Sequence, residues 1–363
     1  MADLVRSAGE RDSSAGGTDV KLVWSEEKGN HLVAARALPH GTVVISAGAV
    51  AEGLDSLEHC AQCKRWVGPN ETCIGCGFYT LCARCRDDAQ PYYRRHTESG
   101  ECRVLNALAM HVEINTEPAV LNTSVQLLKL LIKWVVSDGE WAYPGKNDVW
   151  ARGLMDGKKL LTHESKRSEE NVKAVYATAK FVRGLALKYH PRRETLGWCD
   201  VDTIAYVLMA CQVNAYSILD VSTQRPIGVG LWPTGGMVNH SCCNNTDYLP
   251  DRDGKMQWVT ISPVLEGEEF TVQYVDNLTS TTSERREYLR QEYYFGCQCE
   301  RCVGDQTYDV SLVKVDDEQH LNELSDLHSR AEVAMCESTE KACSLFQAAL
   351  AHTPCKNHLH RLH

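Results

Sequence analysis

Asn239-His240-Ser241-Cys242-Cys243-Asn244-Asn245 is followed about thirty residues on by Tyr274, and then by Cys297, Cys299 and Cys302. Alone, Asn-His-Ser-Cys is ordinary turn composition, because all four residue types are common in loops. The later cysteines change that reading. Cys297-x-Cys299-x2-Cys302 offers three thiols, where a closed zinc site takes four ligands tetrahedrally. Cys242 is the natural fourth, with Cys243 or a water as alternatives. With Cys242, one ion would tie the loop to the segment that follows the tyrosine.

A second group lies upstream. Cys60-x2-Cys63, Cys73-x2-Cys76 and Cys82-x2-Cys85, with His96 and Cys102, supply eight candidate ligands in about forty residues. Two residues between cysteines let both sulfurs face one ion from a turn, and eight ligands fill two ions with none left over. The most economical pairing is interleaved: Cys60, Cys63, Cys82 and Cys85 on one ion, Cys73, Cys76, His96 and Cys102 on the other.

The bulk numbers agree with a metal-rich globular chain. Its 363 residues, 43% hydrophobic and 24% charged, suffice for two or three domains with a sizeable core. Met1 to Asp19 lack the apolar centre of a secretory signal and read as a disordered tail. The longest apolar run, 125–136, is too short for a membrane span. Lys129 and Lys133 interrupt it on one helical stripe, so it reads as a mostly buried helix with one wet edge. No membrane association is expected, and a cytoplasmic and nuclear location is. In those reducing compartments disulfides are rare, so seventeen cysteines point to metal. A net charge of -10 disfavours direct nucleic-acid binding, which needs a basic face, and suits basic peptides better.

Along the chain, short strands are expected at Val20 to Trp24, Leu32 to Ala35 and Thr42 to Ile45, with turns at Lys28-Gly29-Asn30 and Pro39-His40-Gly41. From Val104 to about Tyr189 the pattern is helical, most clearly over Lys173 to Lys188, and Pro191 stops it. A helix over Val201 to Tyr216 is followed by strands at Pro226 to Trp232, Gln257 to Ile261 and Glu269 to Val275. A helix from Ser283 to Tyr293 leads into Cys297. Two more helices are expected between Leu321 and Leu350, then a solvated histidine-bearing tail at His352 to His363.

The cysteine-rich module resembles the MYND zinc finger, whose usual pattern ends in Cys-x3-Cys and His-x3-Cys. Here Cys82 and Cys85 are closer, and His96 and Cys102 further apart, than in that pattern. Gly228-Val229-Gly230-Leu231-Trp232-Pro233, Asn239-His240-Ser241-Cys242, Tyr274-Val275-Asp276, Ser283-Glu284-Arg285-Arg286 and Tyr293-Tyr294-Phe295-Gly296-Cys297-Gln298-Cys299 extend the likeness. From Val20 to Cys302 the chain resembles the SET and MYND domain (SMYD) protein-lysine methyltransferases. The implied fold class is α+β, a SET core of short sheets interrupted by a MYND finger and a helical insertion. The implied parts are a disordered tail at 1–19, the SET start at 20–59, the finger at 60–102, the insertion at 103–200, the SET core at 201–276, a post-SET zinc site at 277–303 and a short helical region at 304–363. Many SMYD proteins carry a long helical C-terminal domain that walls the peptide cleft; a shorter region here implies a more open one.

The resemblance implies that S-adenosylmethionine lies against Lys28, Gly29, Asn30, His163, Asn214, Asn239, His240, Tyr293 and Phe295. Lys28 would meet the cofactor carboxylate, Gly29 would permit close backbone approach, and Phe295 would offer an apolar face for adenine. Three zinc ions are implied, two in the finger and one post-SET. Tyr274 matches the family's essential tyrosine and would orient a lysine amine in line with the methyl group. That amine must be neutral, and deprotonating a free lysine at pH 7 costs roughly 4–5 kcal/mol. The nearby sulfonium and an apolar channel would lower that cost. Implied partners are a lysine-bearing protein or peptide, a histone among the candidates, and a peptide at the finger; the chain should be a monomer. His31 stands where the family often has Gly, and Asn244 replaces its usual Pro. Without catalysis, the same parts would make a MYND-type adaptor. Gly228-x-Gly230 is no dinucleotide loop, since Pro233 leaves no helix for a pyrophosphate.

Overall fold

The computed structural model describes residues 19–304 except 56, 69–71, 89–95, 97–99, 115–124, 137–153, 156–157, 276–277 and 279. The expected C-terminal helices and tail lie outside the described residues. The strands are β1 (Val20–Ser25), β2 (Gly29–Ala34), β3 (Val43–Ala47), β4 (Ala51–Leu54), β5 (Ala215–Leu219), β6 (Pro226–Leu231), β7 (Asn239–His240), β8 (Thr246–Pro250), β9 (Met256–Thr260) and β10 (Thr271–Val272). The helices are α1 (Ala83–Asp88), α2 (Glu101–Ile114), α3 (Val125–Val136), α4 (Glu169–Tyr189), α5 (Val201–Asn214), α6 (Thr282–Tyr293) and α7 (Glu300–Val303). The described residues fall into two units, one up to Asn239 with Thr246–Phe270, the other His240–Asn245 with those from Thr271 on.

The first unit holds three small antiparallel sheets, β1-β2, β3-β9-β8 and β4-β6-β5, which bears out the expected mixed architecture of helices and short sheets. In β1, buried Val20 and Leu22 flank exposed Lys21, the period of two that a half-buried strand needs. Val20 pairs with Ala34 and Ser25 with Gly29. Asn30 already pairs with Trp24, so the turn comes earlier than Lys28-Gly29-Asn30, with Gly29 taking a left-handed φ of 66° that glycine adopts without steric cost.

β4 was not legible as a strand, and its glycine explains why it exists. A Cβ on Gly53 would sit 2.0 Å from the Gln126 carbonyl oxygen of α3, so α3 rests directly on the strand backbone. One on Gly228 of β6 would sit 2.4 Å from the Gly53 carbonyl oxygen. The Gly228-x-Gly230 run is therefore a packing feature of this sheet.

α3 corrects one expectation. Lys129 is buried, with Nζ donating to the Leu54 carbonyl at 2.8 Å and lying 4.7 Å above the Phe78 ring. Lys133 pairs with Glu52 at 2.8 Å, and Glu52 also meets buried Lys64 at 2.7 Å. Lys129 is thus part of an internal polar seam, whereas Lys133 stays partly exposed and keeps part of the expected wet edge. Burial would raise the Glu52 carboxyl, but the two ammonium charges hold it down at about 2. Burial opposes the Lys133 ammonium and Glu52 overcomes it, whereas for Lys64 burial wins and lowers it.

α4 starts at a Ser168 cap and ends before Pro191; α5 starts at an Asp200 cap. Such caps satisfy orphan N–H groups of the first turn. α5 ends at Asn214 and β5 follows at once, so the helix expected to reach Tyr216 is shorter. Trp258 fills the middle of this unit without exposure, edge-on to Tyr216 at 5.2 Å.

In the second unit, α6 opens on a reciprocal capping box between Thr281 and Glu284. It closes at Tyr294, whose φ of 63° reverses the chain toward Phe295 and Cys297. Among the described residues, the strand expected over Glu269 to Val275 is confined to Thr271–Val272.

Candidate active site and metal centres

The interleaved pairing read from the spacing is the one the fold makes. Cys60, Cys63, Cys82 and Cys85 form one group and Cys73, Cys76, His96 and Cys102 another, with all ligand atoms in each within 4.8 Å of one another. The shorter Cys82-x2-Cys85 spacing still places Cys85 in its cluster, and its N–H approaches the Cys82 sulfur at 3.4 Å. His96 turns Nε2 toward Cys76 Sγ at 3.4 Å and donates Nδ1–H to Glu101 at 3.0 Å. A carboxylate only accepts, so Glu101 fixes the tautomer that leaves Nε2 free to ligate. Tyr79 stacks on the His96 ring at 4.0 Å. A Cβ on Gly75 would lie 2.9 Å from the Cys102 sulfur, which explains the glycine in that knuckle.

Cys242, Cys297, Cys299 and Cys302 form the third group, again with ligand atoms within 4.8 Å; Cys243 is outside it. Tetrahedral zinc with sulfurs at about 2.3 Å would set neighbouring sulfurs about 3.8 Å apart. The separations are 3.9 Å for Cys63–Cys82, 3.7 Å for Cys73–Cys102 and 3.6 Å for Cys242–Cys302. Disulfides would need about 2.05 Å, so the geometry and the soft donor set fit a tetrahedral cation. Burial pushes the Cys85 thiol up to about 12 and the Cys102 thiol up to about 11, with neighbouring sulfur charge adding to it. A bound cation would relieve that repulsion. Each cluster can hold a metal ion.

Buried Arg285 is the counter-charge beside the third group. Its Nη2 lies 3.8 Å from Cys302 Sγ and 3.1 Å from Thr282 Oγ1. Arg286 donates to the Cys297 and Cys302 carbonyls at 3.1 and 3.0 Å. The Ser283-Glu284-Arg285-Arg286 run thus holds the cysteine knuckle from α6.

Tyr274 stands in an aromatic group of the second unit. Its ring centroid lies 4.8 Å from Tyr293, 5.4 Å from His240 and 6.5 Å from Phe295. His240 Nδ1 accepts the Tyr274 main-chain N–H at 2.9 Å, and its Nε2 is 3.3 Å from Cys242 Sγ. Both ring nitrogens are therefore committed, so any contact of His240 with a cofactor falls to its main chain. Burial holds the imidazole down at about 4.

In the first unit, Asn239 Nδ2 donates to Glu269 at 2.9 Å and to the Lys28 carbonyl at 3.3 Å. Lys28 Nζ also pairs with Glu269, at 2.6 Å. The structure thus brings Lys28 and Asn239 together, but around Glu269, which sequence reading missed. Its only signal was the Glu268-Glu269 pair after Gly267. Asn30 pairs in β2 opposite Trp24. His31 is buried, with Nδ1 bonded to the Gly29 carbonyl at 3.0 Å. Asn214 Nδ2 donates to the Leu161 and Ala210 carbonyls, each at 2.8 Å. It thereby pins the segment leading into His163, whose φ of 49° is uncommon for a residue with a side chain. Burial, with Lys166 and Arg167, lowers the His163 pKa.

No family model matches the chain. Mouse histone-lysine N-methyltransferase Smyd1 is 24% identical over 82% of this chain and 59% of its own length. Mouse histone-lysine N-methyltransferase SMYD3 is 26% identical over 78% of this chain and 61% of its own. The resemblance to the SET and MYND domain family is borne out. Arabidopsis thaliana histone-lysine N-methyltransferase ASHR1 adds 26% identity over 76% of this chain and 53% of its own. The chain thus spans less than two thirds of these relatives. The solved SET domain of LSMT, bound to lysine and AdoHcy, covers 91% of this chain and 65% of its own at 12% identity, with a TM-score of 0.41. Within the family frame, the clusters from Cys60 to Cys102 fit a MYND finger and the Cys242 cluster a post-SET site. No helix among the described residues is long and apolar enough to cross a membrane.

Proposed function

We propose that the chain is an S-adenosylmethionine-dependent protein-lysine methyltransferase acting on the side-chain amine of histone or non-histone proteins. The observation that carries this reading is Tyr274, ringed by Tyr293, His240 and Phe295 and anchored through its main chain by His240. Lys28, Gly29, Asn30, His163, Asn214, Asn239, Tyr293 and Phe295 would hold the cofactor, with His240 contributing its main chain. The cofactor, when bound, supplies an electrophilic methyl group on a sulfonium. Tyr274 would orient the lysine amine through its hydroxyl. The surrounding rings would exclude water, which disfavours the ammonium form. The three clusters would each hold a zinc ion in a structural role, and the reduced thiols they require suit a cytoplasmic and nuclear protein. The protein is taken as a monomer that can capture a peptide at its finger.

Transfer of a radiolabelled methyl group to histones and cell lysates tests the activity, with mass spectrometry locating the lysine. Tyr274→Phe is expected to lose at least about 100-fold in rate, as misorientation does, while calorimetry still detects cofactor binding. Zinc-loaded protein that gives no heat with S-adenosylmethionine would sink the reading.

The Lys28–Glu269 pair favours a second reading, an adaptor whose cofactor site is closed by its own carboxylate. In that case Cys60→Ser would abolish partner capture while Asn239→Ala leaves cellular function intact.

A further inference from the structure

We propose that His240 is a positioning residue that couples the Cys242 metal cluster to the main chain of Tyr274. The inference rests on the methyl-transfer reading for Tyr274 and on the geometry of the second unit. The Tyr274 N–H points at Nδ1 from 2.9 Å, which gives Nδ1 the lone pair and the neutral ring its proton on Nε2, with the Val272 carbonyl also within reach of the ring. That proton faces Cys242 Sγ across 3.3 Å. One imidazole thus donates to a candidate ligand sulfur and accepts from the backbone of the tyrosine.

Two bonds at opposite ends of a rigid ring leave it little freedom to rotate. Ser241 N–H, donating to the Val272 carbonyl at 3.0 Å, holds the adjoining backbone to the same strand that leads into Tyr274. A metal that fixes Cys242 Sγ therefore fixes the ring, and the ring fixes the Tyr274 amide and the direction in which its side chain leaves the backbone. Partners just outside a metal's ligands act on both affinity and activity in this way. Cys242 so has two duties, ligand and anchor, and His240 carries the second to Tyr274.

Asn and Gln substitutions separate the two bonds. Asn places an oxygen near the position of Nδ1 and lacks the reach to Cys242, whereas Gln can present N–H near the position of Nε2 and lacks an acceptor at Nδ1. Both variants are made in the full zinc-loaded chain. Zinc release to a chromophoric chelator is expected to be about 10-fold faster in His240→Asn than in His240→Gln. The Tyr274 amide proton, observed with 15N-tyrosine and assigned through Tyr274→Phe, is expected to move upfield further in His240→Gln. kcat is expected to fall about 10-fold more in His240→Gln than in His240→Asn, with KM for the cofactor following neither order. The ranking of the variants therefore reverses between zinc release and the Tyr274 readouts. The same ranking in both, or no difference between the variants, would overturn the proposal. If the wild-type chain transfers no methyl group, the methyl-transfer reading fails by itself. The zinc-release and amide rankings still decide the coupling.

Discussion

The metal clusters of the two units use the same soft donors and differ in what their ligands hold besides an ion. Those from Cys60 to Cys102 lie within about forty residues, and the partners around them, Tyr79 and Glu101, come from the same stretch. Cys242 and Cys302 are 60 residues apart, and their partners include Arg285 and His240, which also holds the main chain of the candidate catalytic tyrosine. Loop closure does not make the difference, since doubling a loop costs only about 0.6 kcal/mol. What differs is the coupling: the finger ligand His96 is held by Glu101 and Tyr79 of the finger itself, whereas the third cluster reaches Tyr274 through His240.

The two kinds of cluster should differ most when a ligand is lost. Cys242→Ser should cost one zinc equivalent per chain by elemental analysis and slow methyl transfer at least about 10-fold, because it removes a ligand and the acceptor of His240 together. Cys60→Ser should also cost one zinc, with a smaller effect on transfer. Equal losses of activity would show that the finger is as tightly coupled as the third cluster.

Glu52, placed between Lys64 and Lys133, ties the finger to the sheet. Glu52→Gln leaves buried Lys64 and partly exposed Lys133 without their shared carboxylate and should destabilise by about 3 kcal/mol in urea unfolding. The sign with pH follows from the depressed carboxyl. With a folded pKa of about 2 against an unfolded value near 4.3, the stabilisation is complete above the unfolded pKa. It is lost as pH falls from about 4 toward 2. Wild type and variant should therefore converge in acid; a constant gap would refute the assignment.

The smallest effect is expected at α6. Thr281→Ala removes a capping box and should cost about 1 kcal/mol, read as a lower thermal midpoint for the second unit. If zinc release from the third cluster does not quicken as well, α6 supports the cluster less than the Arg285 and Arg286 contacts suggest.

Much of this was legible because it depended on neighbours in sequence. Cys-x2-Cys spacing puts two sulfurs on one turn, which is why the interleaved ligand sets could be paired in advance. The starts of α5 and α6 were legible to within a residue from their pattern, whereas the first turn of α4, capped by Ser168, lay ahead of the periodic stretch from Lys173. Other features had no such signal. β5 follows Asn214 without a Gly or Pro, so nothing local marks the end of α5; Asn214 satisfies carbonyls there instead. β4 depends on α3 lying against Gly53. Lys129 looks solvated until the Leu54 carbonyl and the Phe78 ring are brought to it.

The Asn239 to Asn245 stretch divides along the same line. By itself the sequence determined that a thiol in this loop could complete a four-cysteine site, since ligand number and donor type are properties of the residues and the ion. The tertiary structure decided what the loop does with its other side chains. Asn239 goes to Glu269 and the Lys28 carbonyl, and His240 spends both ring nitrogens on Cys242 and Tyr274. A hydrogen bond needs direction as well as a partner, and directions between residues thirty apart exist only once the chain has folded.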